Sequence, residues 1–551
     1  RSGRVTGVQT CALPILGAVY EGLLSFSGMF AAQDLIQVKR AKDDFGKTKT
    51  QTWFVPKERA EEFTEKEVER LPGGKPRIYP KGEFILHLSG LDREQSASYY
   101  TPEVLTKCLV EETLRPLLKD YKPKDADKIL TLTVCEPAMG SGAFLNEAAN
   151  QLAEKYLELK QQQLAPEGKS INPVDYPNEL RRVRHYITTR NLYGVDLNPT
   201  AVELGALSLW LNTMHRVRVV EAPAEEGAEE KVRYVRGATP WFGLRLRAGN
   251  SLIGARRAVW TKGQLLAGVH LNSGDEAVEP RQLKPGEARG EDEVYHYLVF
   301  DPDMVPTASN SLVRQYQEAE SDKAKDWLKR QVKADWTEPE IDLALAVSEL
   351  IDGHEQQYGQ KRLAALEKTK CPASVWPQPV VEETGPGLQV QEQVKASLEA
   401  ASGSFQRLKL LMDSWCGLFF WPLDEVEALP RREDFLEAAQ ILLGKEEDLG
   451  LKTLRLNFDG AELLRATAAD ELDVEVLMSA VPWYRVSREI ALDIRFNHWE
   501  LTFPEILGER TTHSHGFNLI RGNLPWLKVS WKDASLLRSE EHTSELQSPV
   551  P

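Results

Sequence analysis

Long apolar runs are absent from this 551-residue chain. None approaches the roughly 18 consecutive apolar residues that mark a membrane-spanning helix. With 42% hydrophobic residues and a mean hydropathy of -0.40, the composition is that of a soluble protein with a large core. Cysteine is scarce. Cys11, Cys108, Cys135, Cys371 and Cys416 are scattered, with no C-x-x-C pair. Neither a disulfide framework nor a structural zinc site is therefore expected, and the usage fits a reducing cytoplasm. Positive charge is in deficit. With a formal net charge of -15, any contact with nucleic acid has to come from a local patch and not from the global balance. Internal repeats are lacking too, which leaves a chain of about two to four ordinary domains.

The two ends differ from the rest. Val5–Ile15 (VTGVQTCALPI) and Arg538–Ser548 (RSEEHTSELQS) read as translations of one sequencing adapter in opposite directions, because suitable codons make them reverse complements. Residues 1–15 and 538–551 are set aside as non-native ends, and the genuine sequence is expected to run from about Leu16 to about Leu537. Residues 16–95 read as an N-terminal segment with a short helix at Leu16–Phe26 and a hairpin within Leu71–Gly90, where Pro and Gly punctuate β-prone runs. Over 96–255 strands alternate with helices, the pattern of an α/β domain with a parallel sheet, interrupted by an acidic surface loop at Glu221–Lys231. Residues 256–495 read as mainly helical: Ser311–Trp336 is charged with apolar residues at helical spacing, Leu408–Leu423 suits a buried helix, and the Pro-rich Cys371–Val381 separates such helices. Strand-like stretches return in 496–537, at His498–Leu507 and Gly516–Trp526.

Two stretches carry chemistry. In the first, a β-rich run from Ile129 to Cys135 is followed by Glu136, Pro137 and Ala138, a tight loop with Gly140 and Gly142, and a helix expected near Ala143. A strand, a glycine loop and a helix N-terminus let backbone amides approach a ligand closely. The loop is not a dinucleotide fingerprint, since Leu145 stands where the third glycine belongs, and no Gly-Lys-Ser/Thr follows to make a phosphate loop. By themselves the glycines equally suit a plain strand-to-helix turn. In the second stretch, Asn191–Leu211, a strand ends at Tyr193–Val195, Asp196 sits at its carboxyl edge, and Asn198-Pro199 begin a helix as N-cap and N1. A carboxylate at that tip can accept hydrogen bonds from ribose hydroxyls, or it can merely cap the helix. The two stretches lie about 55 residues apart, against roughly 20 in a simple nucleotide-binding unit, so Leu164–Ile187 reads as an insertion between them.

Together these residues resemble the class I methyltransferases that use S-adenosylmethionine, and among them the N6-adenine DNA methyltransferases. The run Glu136–Phe144 (EPAMGSGAF) is similar to that family's cofactor loop, and Asp196, followed by Leu197, to its ribose-binding acid. Ser96–Glu112 (SASYYTPEVLTKCLVEE), with Tyr100, Thr101 and Pro102, resembles the upstream motif that holds the methionine end; Thr101-Pro102 also reads as N-cap and N1. Arg247–Gly254 (RAGNSLIG) resembles the next strand tip, where Gly249 and Asn250 would border the cofactor adenine. Asn523-Leu524-Pro525-Trp526 resembles the catalytic Asn/Asp-Pro-Pro-aromatic motif, with Leu524 in place of the first proline. The motif order is that of the gamma group. The start at Leu16–Phe26 and the His498–Leu507 lead-in resemble the large enzymes of restriction and phage-exclusion systems of the BREX and DISARM types.

The resemblance implies a Rossmann-like methyltransferase sheet, incomplete at its C-terminus, with a large mainly helical insertion. It also implies S-adenosylmethionine as cofactor, double-stranded DNA with a flipped base as partner, and defence-system proteins as further partners. About 270 residues separate Asn250 from Asn523, too many for a loop. In this reading the Asn523 side-chain oxygen and the Leu524 carbonyl accept the two N–H bonds of the target amine, Pro525 stiffens the corner, and Trp526 stacks on the flipped base, a contact worth about 1–3 kcal/mol. Missing C-terminal strands and a missing target-recognition domain imply that this fragment binds DNA weakly and without sequence preference. Leu524 also resembles the Asn-Leu-Pro-Tyr form of rRNA adenine dimethyltransferases, and related corners serve enzymes that methylate protein glutamine. An RNA or protein amino-methyltransferase, or a non-catalytic cofactor-binding scaffold, are the alternatives. No metal is expected: His513 and His515 stand in a polar loop. Asp34–Lys39 (DLIQVK) lacks the acid of a nuclease motif and reads as helix surface. No Pro-Cys dipeptide exists to serve covalent cytosine chemistry.

Overall fold

The computed structural model describes residues 26–40, 51–64, 67–71, 75–88, 101–221, 231–272, 276–310, 314, 316–379, 385–400, 403–444, 481–508 and 516–522. The chain divides into two compact units, Pro102–Gly522 (with 1–13) and Pro14–Thr101 (with 523–551).

The smaller unit is built of strands. β1 (Phe26–Phe30), β2 (Leu35–Arg40), β3 (Gln51–Pro56), β4 (Ile78–Tyr79) and β5 (Phe84–Leu88) form two antiparallel sheets, ordered β1-β5 and β3-β2-β4. Two expectations are corrected here. The stretch at Asp34–Lys39 is strand and not helix surface: Ile36 and Val38 are buried on one face while Gln37, on the other, accepts from the Tyr79 hydroxyl (2.9 Å), which is strand periodicity. The strands at 78–79 and 84–88 do not pair with each other; β4 joins β2 and β5 joins β1. Upstream of them Arg70 bridges Pro76 antiparallel, and Leu71 N–H donates to the Lys75 carbonyl (2.9 Å). The helix expected at Leu16–Phe26 lies almost entirely outside the described residues.

The larger unit begins with α1 (Glu103–Leu118). Pro102, not Thr101, occupies its cap position and its carbonyl accepts from Leu105 and Thr106 N–H. Then follow β6 (Val134–Glu136), α2 (Ala143–Leu164), α3 (Tyr176–Arg190), β7 (Leu192–Asp196), α4 (Pro199–Thr213), a β8–β9 antiparallel pair (Arg216–Glu221, Lys231–Arg236) and β10 (Leu246–Ala248). The apolar run before β6 is a 3-10 helix (Pro123–Thr131), so the strand is shorter than expected. β6, β7 and β10 pair in parallel, joined on the far side of β6 by the two-residue β14 (Leu519–Ile520) to give the order β10-β7-β6-β14. In order of appearance this is 3-2-1-4, compatible with a Rossmann-like fold, and the strand order reverses between β6 and β14.

Both faces of this sheet are covered, as a parallel sheet requires. Val134, Leu192 and Leu246 face one core with α2, α3 and α4. Cys135, Tyr193 and Val195, on the alternate face, meet Phe503 and Ile506. Phe503 is the cap residue between α11 (Trp499–Thr502) and α12 (Pro504–Leu507), and Ile506 lies on α12, whereas the expectation for His498–Leu507 is strand. Trp499, Phe503 and Ile506 recur at helical spacing, and Pro504 takes N1, so helix wins.

Residues 256–495 are mainly helical: α5 (Glu318–Trp327), α6 (Glu338–Lys368), α7 (Leu388–Leu398), α8 (Ser404–Gly417), α9 (Arg432–Leu443) and α10 (Pro482–Ile494). They share one apolar core that reaches from Leu244 to Leu501. The region is not all helix, however. β11 (Ala258–Thr261), β12 (Arg281–Gln282) and β13 (Glu293–Tyr295) form an antiparallel sheet that was not foreseen. Among the described residues no helix is long and apolar enough to cross a membrane, and Cys108, Cys135, Cys371 and Cys416 are not in disulfides.

Candidate cofactor site

Everything at the carboxyl edge of the sheet starts from the turn after β6. Met139 N–H donates to the Val195 carbonyl (3.0 Å) and Gly142 N–H to the Met139 carbonyl (2.7 Å), which ties the loop to β7 and folds it back. Gly140 (φ 52°) and Gly142 (φ 74°) lie in the left-handed region, where a Cβ is strained. Met139 is buried and packs against the bare Cα atoms of Gly194 and Gly205; a Cβ on Gly194 would sit 2.6 Å from its sulfur. The loop therefore needs glycine for close packing as well as for its turn. α2 starts at once, and Asn146 fixes its first turn by donating to the Gly142 carbonyl and to Ser208 Oγ (both 2.9 Å).

Two carboxylates lie here. Glu136 is buried, and its Oε2 accepts from Leu145 N–H at the start of α2 (3.2 Å). Burial holds its carboxyl well above the usual range; the nearby Asp196 adds to the rise, and the Leu145 N–H only partly opposes it. Asp196 ends β7. Its Oδ2 accepts from Gly140 N–H (2.8 Å) and its Oδ1 from Asn198 N–H (2.9 Å). Burial raises this carboxyl too, against those two N–H groups. The helix cap is Asn198, whose Oδ1 accepts from Thr200 N–H (2.9 Å), with Pro199 at N1. Asp196 is thus not the residue that caps α4. Each of its oxygens keeps a lone pair beyond the backbone bond.

The third strand tip adjoins the second. Gly249 N–H donates to the Asp196 carbonyl (2.8 Å) and Asn250 Oδ1 accepts from Leu252 N–H (3.1 Å). Ser251 Oγ donates to the Pro137 carbonyl, closing the ring of tips. Pro137, Ala138 and Leu197 are half-buried around it and Phe144 is buried beneath. On the other side of β6, Arg521 N–H donates to the Cys135 carbonyl (2.9 Å) and its guanidinium lies 5.8 Å from the Phe144 ring centre. Gly522 follows, so near Pro137 that a Cβ there would lie 3.4 Å from the proline ring.

Of the residues singled out from sequence, Glu136, Pro137, Ala138, Gly140, Gly142, Phe144, Asp196, Leu197, Gly249 and Asn250 come together at this one edge. Pro102 opens α1, with Thr101 just before it. Tyr100 and Asn523, Leu524, Pro525 and Trp526 lie outside the described residues, as do His513 and His515. Sequence reading missed Ser251, Asn146 and the Arg495–Asn497 segment beside Asn250. Ser251 follows a residue already flagged and was within reach; Arg495 carries no local signal.

The site suits a nucleoside-bearing cofactor on its own geometry. A Cβ built on Gly140 meets nothing within 4 Å, so the loop faces open space where a ligand can approach backbone. Asp196 offers lone pairs at the tip of the second strand, and the neighbouring Asn250, after the buried Gly249, is half-buried. No family model matches the chain. It is similar to a proposed type II restriction enzyme and methyltransferase of Methanocaldococcus jannaschii, at 27% identity over 224 residues, or 34% of this chain and 17% of that protein. The chain spans well under two thirds of that relative.

Proposed function

We propose that the chain is the cofactor-binding and catalytic part of an S-adenosylmethionine-dependent methyltransferase of a restriction-modification or phage-defence system, acting on the N6 amine of adenine in DNA. The observation that carries this is the direct bonding of three strand tips at the switch point: Gly140 N–H to Asp196 Oδ2 and Gly249 N–H to the Asp196 carbonyl (both 2.8 Å). In the sequence, Asn523-Leu524-Pro525-Trp526 follows two residues after the strand on the other side of that switch. The similarity to a restriction and methyltransferase protein points the same way.

Bound here, S-adenosylmethionine would supply a methyl group already activated by a positive sulfur. The protein's part is then positioning. Asp196 binds the ribose hydroxyls, the turn at Gly140 leaves open space for the cofactor to approach, and Gly249–Asn250 border the adenine. Asn523 Oδ1 and the Leu524 carbonyl accept from the target amine, drawing its lone pair out of conjugation, and Trp526 stacks on the extruded base.

Two measurements test this. Calorimetry should detect binding of S-adenosylhomocysteine to this chain and none to Asp196→Ala. With the complete gene product, labelled methyl should pass to DNA and not to RNA or protein, and Asn523→Ala should abolish transfer. Label on RNA or on a protein glutamine would assign the alternative substrate, transfer indifferent to Asn523→Ala would overturn the role given to Asn523, and cofactor binding without transfer to any substrate would make the protein a scaffold.

A further inference from the structure

The helix α10 ends in an unexpected residue. Arg495 follows it with φ 60° and ψ 54°, the left-handed conformation, as its C-terminal cap. Helices that end this way ordinarily place glycine there, because a Cβ is strained. Arg495 and Val305 are the two non-glycine residues with positive φ among the described residues. A side chain kept at such a position, against that strain, directs attention to what it touches.

It touches the candidate site twice. The Arg495 carbonyl accepts from Asn250 N–H (2.6 Å), and its guanidinium Nη1 donates to the Leu197 carbonyl (2.7 Å). The left-handed turn then lays the next residues along the loop after β10. Phe496 bridges Asn250 in parallel, and Asn497 N–H donates to the Ile253 carbonyl (2.9 Å). The Asn497 side chain packs on Gly249, where a Cβ would lie 3.0 Å from its own Cβ. Gly254 passes so close to the Asn497 carbonyl that no Cβ would fit. A segment some 245 residues downstream thus lies along the loop after the third tip, joined to it by one parallel bridge.

We propose that Arg495 is a positioning residue for the cofactor, a clasp that holds the second tip (Leu197, next to Asp196) and the third (Asn250) at a fixed separation. The inference rests on the methyltransferase reading. One side chain and one carbonyl add to the Gly249 N–H bond that already joins the two tips, so loosening the clasp weakens cofactor binding before it weakens the fold.

The test uses two variants of this chain. Arg495→Gly keeps the turn and the carbonyl bond, relieves the backbone strain and removes only the guanidinium. Arg495→Met keeps an L-residue and the aliphatic stem but has no donor. Both should melt at or near the parent temperature, with Arg495→Gly at or above it. Both should bind S-adenosylhomocysteine about tenfold more weakly, as expected for one charge-assisted hydrogen bond. In the complete gene product the same variants should raise KM for S-adenosylmethionine more than they lower kcat. Parent-like affinity in both variants overturns the clasp while leaving the cofactor reading intact. A parent chain that does not bind S-adenosylhomocysteine at all overturns the cofactor reading, and the clasp with it.

Discussion

The sheet edge and the helical body both bury carboxylates, and they treat them differently. Away from the edge several buried acids face cations: Glu505 meets Arg362 at 3.2 Å with both side chains under 5% exposed, Glu340 meets Arg432 at 2.9 Å, and Asp413 lies between Lys409 and His498. At the edge, Glu136 and Asp196 are held by backbone N–H groups alone among the described residues. The electrostatics diverge accordingly. Burial pushes the Asp413 carboxyl up, but Lys409 and His498 outweigh it and hold the group below the ordinary range. Burial wins at Glu136 and Asp196, which are both raised. A buried acid already paired with a cation has its charge spent on the fold. An acid left with backbone donors, as Asp196 is, keeps its acceptor capacity for hydroxyl or amine groups of a ligand.

The largest effect should come from breaking a pair in the body. Arg362→Ala leaves Glu505 buried without its cation and should cost about 3–5 kcal/mol, read from urea unfolding, with secondary loss of ligand binding only through unfolding. The edge should show the reverse: Asp196→Asn keeps the shape, and should weaken S-adenosylhomocysteine binding roughly 10- to 100-fold with a much smaller change in unfolding. Equal effects on stability would erase the contrast. Asn198→Ala, which removes only the cap of α4, should cost about 1 kcal/mol.

The pH dependence sharpens the same contrast by sign. Glu136 has a folded pKa above its unfolded value, so the folded state binds the extra proton. Its contribution to stability is present below the unfolded value and lost as pH rises through the folded one. Asp413 is the opposite case: its contribution is present above the unfolded carboxylate value and lost as pH falls through the folded one. Glu136→Gln should therefore gain stability relative to the parent at neutral pH and converge with it in acid. Asp413→Asn should lose stability at neutral pH and converge with the parent in acid. Parallel curves for the two variants would contradict the distinction.

The edge was legible in the sequence because its constraints are local. Gly140 and Gly142 declare a turn, Asn198-Pro199 declares a helix start, and Asp196 stands two residues before the cap. The body's small sheet at Ala258–Tyr295 was not legible: its strands are two to four residues long, too short for a period to emerge. His498–Leu507 alternates apolar and polar residues well enough to resemble a strand, yet Trp499, Phe503 and Ile506 also satisfy a helix, and contact with Tyr193 and Val195 decides between them. Asp34–Lys39 failed in the other direction, since Tyr79, the partner of Gln37, lies 42 residues away. Arg495 could not be read at all. Its significance lies in one backbone angle and in bonds to residues far along the chain.

β14 has a consequence for biosynthesis. Asn518, which leads into it, accepts from Thr133 N–H beside β6 across a separation of 385 residues. At roughly 5–20 residues per second of translation, the edge of β6 emerges from the ribosome about 20–80 s before the strand that covers it. For that interval the nascent chain carries an uncapped strand with free backbone donors and acceptors, the kind of edge that recruits other strands. Its brevity, three residues, and the loop that bends away directly after it limit how much a wrong partner could gain.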